Sequence, residues 1–341
     1  MTGRCYSLIF AAILFLSGCA SGPLSQTTDT VFMVSPDDFA FNPETAASNV
    51  FQNEPASVLK SRGEAMAQFD GMVAKLRSEG IRVIEVNSRT DEKTPDAVFP
   101  NNWFSIHRDG IGSTVVLYPM LTPNRRAEVR PDVLKNNLEE HGIKISRIID
   151  LTRYCSQNKA LEGTGSLVLD RVHKVAFASL SPRTDEDVLK DFCTSTGYRQ
   201  ITFRSFNKGK LIYHTNVMMS LGADFAVICE ESITDDAERA MVLAELKALG
   251  KRIVRISSEQ MEHMCANILE VRDIDGNRKI LMSTTAYSHF SDGQREDLGR
   301  SGKIVQVDVH TIEEIGGGSA RCMVAEIFLT RTSFISRRSF S

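Results

Sequence analysis

One arrangement recurs five times along this chain, and it limits the possible folds more than any other feature. A helix-like run leads to a short strand-like run, and that leads to a pair of strand-like runs joined by a turn. The first unit has an amphipathic stretch over Ser57–Glu79, IRVIEV at Ile81–Val86, then VFPNNWFSI and STVVLYP around the turn RDGIG. Helix-like Pro131–His141 precedes IKISRIIDL and the pair SLVLDR and KVAFASL, and Asp185–Thr196 precedes YRQITF and the pair YHTNVMMS and DFAVICE. Asp235–Leu249 precedes KRIVRI and the pair CANILEVRD and RKILMST, and a polar stretch near Asp292–Leu298 precedes GKIVQVDV and SARCMVAEIFL. The fifth unit lacks its last strand, which TVFMVS at Thr30–Ser35 supplies if the two chain ends meet. Units of roughly 50 residues repeated in this way signal a radial or solenoid architecture, because a single unit cannot bury its own apolar face. The expected fold is one α/β domain over residues 30–331, a five-bladed, pseudo-symmetric α/β propeller whose ring is closed by the N- and C-terminal strands.

In such a ring, equivalent positions of the units face the same end of the axis. At the start of the first hairpin strand stand Asn101 and Asn102 in FPNNW, Glu162 in LEGTGS, His214 in YHTN, Asn267 in CANILE and Cys322 in SARCMV. Turn chemistry accounts for one or two polar residues at strand starts, and a free cysteine most often behaves as a small buried apolar residue. Taken singly, His214 fits a satisfied core histidine, and Glu162 fits a loop carboxylate accepting from the Gly163–Gly165 turn. A cysteine, a histidine and a glutamate from three different units read instead as a shared site. A thiolate attacks an electrophilic carbon, an imidazole carries protons near neutral pH, and a carboxylate orients the imidazole or binds substrate N–H groups.

The formal net charge is -3 with no basic block, which argues against nucleic acid as a partner. The first residues, MTGRCYSLIFAAILFLSGCA, combine Arg4, an apolar run from Tyr6 to Leu16 and the sequence Leu16-Ser17-Gly18-Cys19. The run is shorter than the ~20 residues a spanning helix needs, and its small-residue end reads as a processing site. Leu16 to Cys19 resembles a bacterial lipobox, so residues 1–18 are expected to be a lipoprotein signal and Cys19 the lipidated first residue of an exported, membrane-anchored chain. A translation start at Met33 would instead leave the protein cytoplasmic. Residues 19–29 read as a polar tether and 332–341 as a polar tail. Without Cys5 and Cys19, five of the seven cysteines remain, scattered singly as Cys155, Cys193, Cys229, Cys265 and Cys322. Neither a disulfide framework nor zinc-ligand spacing is visible, and neither a metal nor an organic cofactor is expected.

FPNNWFS, LEGTGS, SPRTD, HTNV and GGGSARCM resemble motifs of the guanidino-group-modifying superfamily, which includes arginine deiminases, dimethylarginine hydrolases and amidinotransferases. The likeness runs from about Val31 to Leu329 and is nearest to the bacterial citrulline hydrolase branch. The resemblance implies a fivefold propeller with Cys322 as nucleophile, His214 as general acid and base, and Glu162 as a substrate-side carboxylate. It also implies that Arg183 of SPRTD grips a substrate α-carboxylate, although Arg183 also reads as a helix-entry residue beside Thr184, which can cap the next helix with Asp187 at capping-box spacing. Two positions depart from arginine-using members, Asn102 and Asn216 standing where those carry aspartate. A guanidinium offers only donors and positive charge and wants ionised acceptors, whereas a neutral ureido group offers a carbonyl beside N–H donors, which an asparagine can match. The expected substrate is therefore a citrulline-type amino acid, held by Asn101, Asn102, Arg183, Asn216 and Asn267 and cleaved through an S-carbamoyl enzyme to ornithine, ammonia and carbon dioxide. Arginine deimination, dimethylarginine hydrolysis and amidino transfer are the enzymatic alternatives, and a lipid-anchored binding protein without turnover is the alternative of another class.

Overall fold

The computed structural model describes residues 24–49, 51–109 and 112–328. The expected signal over 1–18, Cys19 and the tail over 332–341 lie outside these residues. Strand β1 (Thr30–Val34) runs parallel to β2 (Arg82–Val86), Thr30 facing Arg82 and Val34 facing Val86. Between them lies α1 (Val58–Ser78), which buries Ala65, Phe69, Met72, Val73 and Leu76, a spacing of three and four residues that keeps one stripe against the sheets. Leu59 falls off that stripe, and both it and Val58, the first residue of the helix, are exposed.

The next four sheets are built alike, each from an antiparallel hairpin, a helix and a third strand parallel to the middle one. They are β3 (Phe104–Asp109), β4 (Gly112–Leu117), α2 (Pro131–Glu140) and β5 (Ile145–Asp150); then β6 (Val168–Asp170), β7 (Val175–Ser179), α3 (Glu186–Thr196) and β8 (Arg199–Phe203). A two-residue-stranded ribbon, β9 (Phe206–Asn207) and β10 (Lys210–Leu211), follows. Then come β11 (Met219–Leu221), β12 (Phe225–Ile228), α4 (Asp236–Ala248) and β13 (Arg252–Arg255), and lastly β14 (Leu269–Arg272), β15 (Arg278–Ser283), α5 (Asp292–Gly299) and β16 (Lys303–Val307). The helix thus sits inside each sheet's chain segment, so the sequence unit of helix, strand and hairpin straddles two sheets. A parallel pair needs a crossover of a dozen or more residues, and the helix between the middle and third strands is that crossover.

The fifth sheet joins the chain ends. Strand β17 (Ala325–Glu326) pairs antiparallel with β1, giving the order β17-β1-β2, so TVFMV supplies the missing strand. Inner strands of different sheets approach one another, β6 with β11, β11 with β14, and β17 with β3. The starts of α3, α4 and α5 are capped by side-chain acceptors for the free N–H groups. Asp235 caps α4, and Ser291 forms a capping box with Gln294 on α5. On α3 the cap is Asp185, which accepts from the N–H groups of Asp187 and Val188, rather than Thr184. Thr184 is drawn instead into a turn with Ser181.

The stretch expected as a tether is docked from Ser25 onward. Gln26, Thr27 and Thr28 are buried; Gln26 donates to the Leu169 carbonyl (2.9 Å) and accepts from the Arg171 N–H (2.8 Å), and Thr28 bonds to the Ile327 and Arg272 backbones. Its small polar side chains satisfy open backbone groups at the strand ends, which a composition argument for flexibility overlooks. No described helix is long and apolar enough to cross a membrane.

Candidate active site

The turns that enter the hairpins carry the side chains lined up from the sequence. Asn102 ends a short 3-10 turn before β3, Glu162 stands before a single helical turn ahead of β6, His214 before the turn leading to β11, and Cys322 just before β17. Asn102, His214 and Cys322 meet in a narrow cleft that Asp96, Arg125, Arg183, Tyr213 and Gly316–Gly318 also line, and Glu162 stands behind it on the imidazole of His214. Two glycines make this convergence possible. A Cβ at Gly165 would stand 2.4 Å from Asn102 Nδ2 and 2.7 Å from His214 Nδ1, so only glycine lets those side chains close in. Gly317 has φ +65°, in the left-handed region that glycine adopts without cost, and its carbonyl accepts from the Tyr213 hydroxyl (2.9 Å).

Cys322 is buried, 6% exposed. Its sulfur accepts from Asn216 Nδ2 at 3.4 Å and from Asn267 Nδ2 at 3.2 Å. Glu162 Oε2 accepts from His214 Nε2 at 2.8 Å, and its Oε1 accepts from the Leu121 N–H at 3.0 Å. Burial raises the Glu162 carboxyl, but Arg183, His214 and Arg125 outweigh burial and hold it well below the ordinary carboxylate range. An ionised Glu162 has no proton to give, so Nε2 of His214 carries one and Nδ1 is left as the acceptor.

Burial is also the main influence on His214; it outweighs the opposing pull of Glu162 and pushes the imidazole down to about 4. His214 is therefore a neutral base at rest. The same shift makes a prediction about stability. Unfolded histidine titrates near 6.5 and folded His214 near 4, so between these values the unfolded chain binds more protons and stability falls as pH drops. Urea midpoints at pH 7 and pH 5 should fall more steeply for the wild type than for His214→Gln. Equal drops in the two proteins would remove His214 as a source of acid sensitivity.

Arg183 lines the cleft, but its guanidinium is largely committed. Nε and Nη2 reach Ser48 Oγ (3.1 and 2.6 Å), Nη2 also reaches the Thr45 carbonyl (3.1 Å), Nη1 faces Glu162 Oε2 (3.4 Å), and the plane lies 4.7 Å over the Tyr213 ring. Of the other asparagines expected to bind substrate, Asn102 lines the cleft, and Asn216 and Asn267 lie behind it on the sulfur. Asn101 is not among the lining residues. Its amide makes no hydrogen bond, and its backbone carbonyl accepts from Thr164 Oγ1 at 3.2 Å, so of the two adjacent asparagines only the second faces the site.

Two charged residues of the site have no equivalent in the sequence reading. Arg125 is 2% exposed, bidentate to Glu128 (3.0 and 2.8 Å), and donates from Nη1 to Asn102 Oδ1 at 2.9 Å. Asp96 accepts at Oδ2 from Asn42 (2.7 Å) and Thr45 (3.1 Å), while its buried Oδ1 has no partner; burial raises its carboxyl against the pull of Arg125. Asp96 stands three residues before the FPNNW motif, where its charge beside the motif was the available signal, whereas Arg125 lies 22 residues beyond Trp103 and reaches Asn102 only in space.

The profile of a family described as N,N dimethylarginine dimethylhydrolase, eukaryotic, matches residues 35–329. Among solved structures, the fold resembles the N-terminal domain of ArgZ, an arginine dihydrolase from the ornithine-ammonia cycle in cyanobacteria, in a mutant bound to substrate. The TM-score is 0.68 at 18% identity, covering 88% of this chain and 98% of that one. AgrE in a binary complex with L-arginine gives a TM-score of 0.68 at 18% identity, covering 88% of this chain and 40% of that one. A dimethylarginine dimethylaminohydrolase carrying an adduct with S-methyl-L-thiocitrulline gives 0.60 at 12% identity, covering 88% and 100%. At these identities the likeness is one of fold. No curated protein matches the chain.

Proposed function

The chain belongs to the N,N dimethylarginine dimethylhydrolase family, and from that premise we propose that it hydrolyses a ureido amino acid of the citrulline type. Membership makes the chain a C–N hydrolase of the guanidino-modifying superfamily. The choice of a ureido group rests on one observation. Arg125 occupies the carbonyl oxygen of Asn102, so the group Asn102 has left without a partner is its Nδ2 donor. A ureido oxygen accepts from that donor; a guanidinium has only donors to set against it.

Cys322 attacks the ureido carbon and His214 takes the thiol proton at Nδ1, then delivers it to the departing chain nitrogen. Ornithine leaves, and an S-carbamoyl thioester remains. Water activated by His214 cleaves the C–S bond, returning the thiol and releasing carbamate, which breaks down to ammonia and carbon dioxide. Glu162 holds the imidazole in the tautomer this requires. The free oxygen of Asp96 suits a substrate ammonium, and Arg183 keeps one N–H for a carboxylate. Incubating the protein separately with citrulline, arginine and dimethylarginine, with product analysis of each, tests the reading. Turnover confined to arginine or its methylated form would overturn it in favour of the second reading, arginine hydrolysis, which the ArgZ and AgrE likenesses support.

The five sheets are proposed to stand around one axis as blades, an arrangement supported by the contacts among inner strands and by the pairing of β17 with β1. Export with lipidation at Cys19 is likewise proposed from the sequence. Cys19→Ser should then move the protein from the membrane fraction to the soluble fraction with kcat unchanged, because acyl chains alone supply the anchor. A wild type already soluble would count against it.

A further inference from the structure

Asn216 and Asn267 entered the sequence reading as substrate contacts, yet neither lines the cleft and both donate to the same sulfur. We propose that the two amides form a cradle for the anionic form of Cys322, with Asn267 as the fixed donor. The proposal rests on Cys322 being the nucleophile of the proposed function and holds whichever substrate is used.

The orientation of Asn267 is determined by its surroundings. Its Oδ1 accepts from the backbone N–H of Arg321 at 3.1 Å, so that end of the amide is the oxygen, and the opposite end, 3.2 Å from Sγ, carries the hydrogens. Arg321 is itself held in place. Its Nη1 donates to the Val324 carbonyl (3.0 Å), and its Nη2 to Glu326 (2.9 Å), a carboxylate it shares with Arg171 (3.2 Å). The backbone immediately before the nucleophile therefore sets both the sulfur and the donor that faces it.

Asn216 completes the cradle. Its Nδ2 lies 3.4 Å from Sγ and its Oδ1 has no partner. A neutral thiol has one hydrogen to donate and is a poor acceptor, so an amide oxygen beside the sulfur would serve a thiol best. Here both nearby amides turn N–H groups toward it, the arrangement that suits a sulfur anion through charge-assisted bonds. All three residues are buried, 1%, 2% and 6% exposed, so water does not compete for these donors. The same donors favour the sulfur as leaving group when the thioester is cleaved.

Alkylation by iodoacetamide in the absence of substrate reads this directly. The sulfur forms a bond to carbon as iodide departs, the thiol proton having gone to the buffer, so the rate follows the anionic fraction. Peptide mass spectrometry would follow Cys322 and, in the same samples, Cys155 between pH 6 and pH 10. Asn267→Ala is expected to slow Cys322 alkylation at pH 7 by at least tenfold and move its half-maximal pH upward, and Asn267→Asp to do so further. Cys155, partly exposed and bonded to the Met120 carbonyl rather than to either amide, should be unaffected. Asn216→Ala, which removes no side-chain bond except the one to sulfur, is the second variant should Asn267 replacements disturb folding, and should give the same upward shift. Profiles that overlay the wild type for folded variants at both positions would overturn the cradle. Absence of turnover on every substrate alongside shifted alkylation profiles would instead sink the proposed function and leave the cradle standing.

Discussion

Cys322→Ser is expected to remove turnover, by on the order of a thousandfold or more, while leaving the fold intact. Serine nearly matches cysteine in volume, so the packing around Met323, Val324 and the Gly316–Gly318 turn changes little, but its hydroxyl is far less acidic and less nucleophilic near neutral pH. The other cysteines supply the control. Burial pushes the Cys193 and Cys265 thiols up to about 12, and it raises those of Cys155 and Cys229 as well, which keeps all four protonated at neutral pH. Replacing any of these four with serine should cost some stability where the site is buried but leave kcat near wild type. Initial rates of ammonia release, with thermal midpoints to verify folding, decide the matter. A loss of kcat in Cys155→Ser or Cys229→Ser comparable to that in Cys322→Ser would remove the assignment.

The residues that lead to this site were readable because a repeating fold places its functional side chains at a repeating position. Cys322, His214 and Glu162 each sit at a turn leading into an inner strand, which places Cys322 and His214 on one cleft and Glu162 behind the imidazole. Strand pairing was only half readable: the hairpins follow from their turns, but which helix crosses over to which sheet depends on long-range parallel pairing that no local pattern records. Adjacent positions were also hard to separate. Asn101 and Asn102 share a 3-10 turn, whose side chains diverge from one residue to the next, so only one of the pair faces the cleft. Arg125 escaped for a different reason. A charged residue on a short helix is ordinarily solvated, and nothing in TPNRRAE reveals that Arg125 turns inward to Glu128 and Asn102 while Arg126 bonds to the backbone carbonyls of Met120 and Leu121.

Asn102→Asp is expected to shift substrate preference toward arginine, lowering the ratio of kcat/KM for citrulline to that for arginine by roughly ten- to a hundredfold. The single change is the cleaner test, since Asn216 touches the sulfur and its replacement would alter the nucleophile along with selectivity. In the variant, Arg125 Nη1 can keep its bond to one carboxylate oxygen, as it does to Oδ1 at 2.9 Å, which holds the second oxygen where Nδ2 now stands. The backbone at Gly165 packs closely against that position and restricts any swing away from it. A ureido oxygen then meets an acceptor in place of a donor, and an unmatched buried polar pair costs about 1–3 kcal/mol. A guanidinium gains a charge-assisted bond from the same substitution, reduced by the share of the new charge that Arg125 already neutralises. The ratio is measured by steady-state kinetics on both substrates, in wild type and variant, with thermal midpoints to show that both are folded. An unchanged ratio in a folded, active variant would mean that the amide at position 102 does not discriminate between the two head groups, and arginine hydrolysis would then become the leading reading of the site.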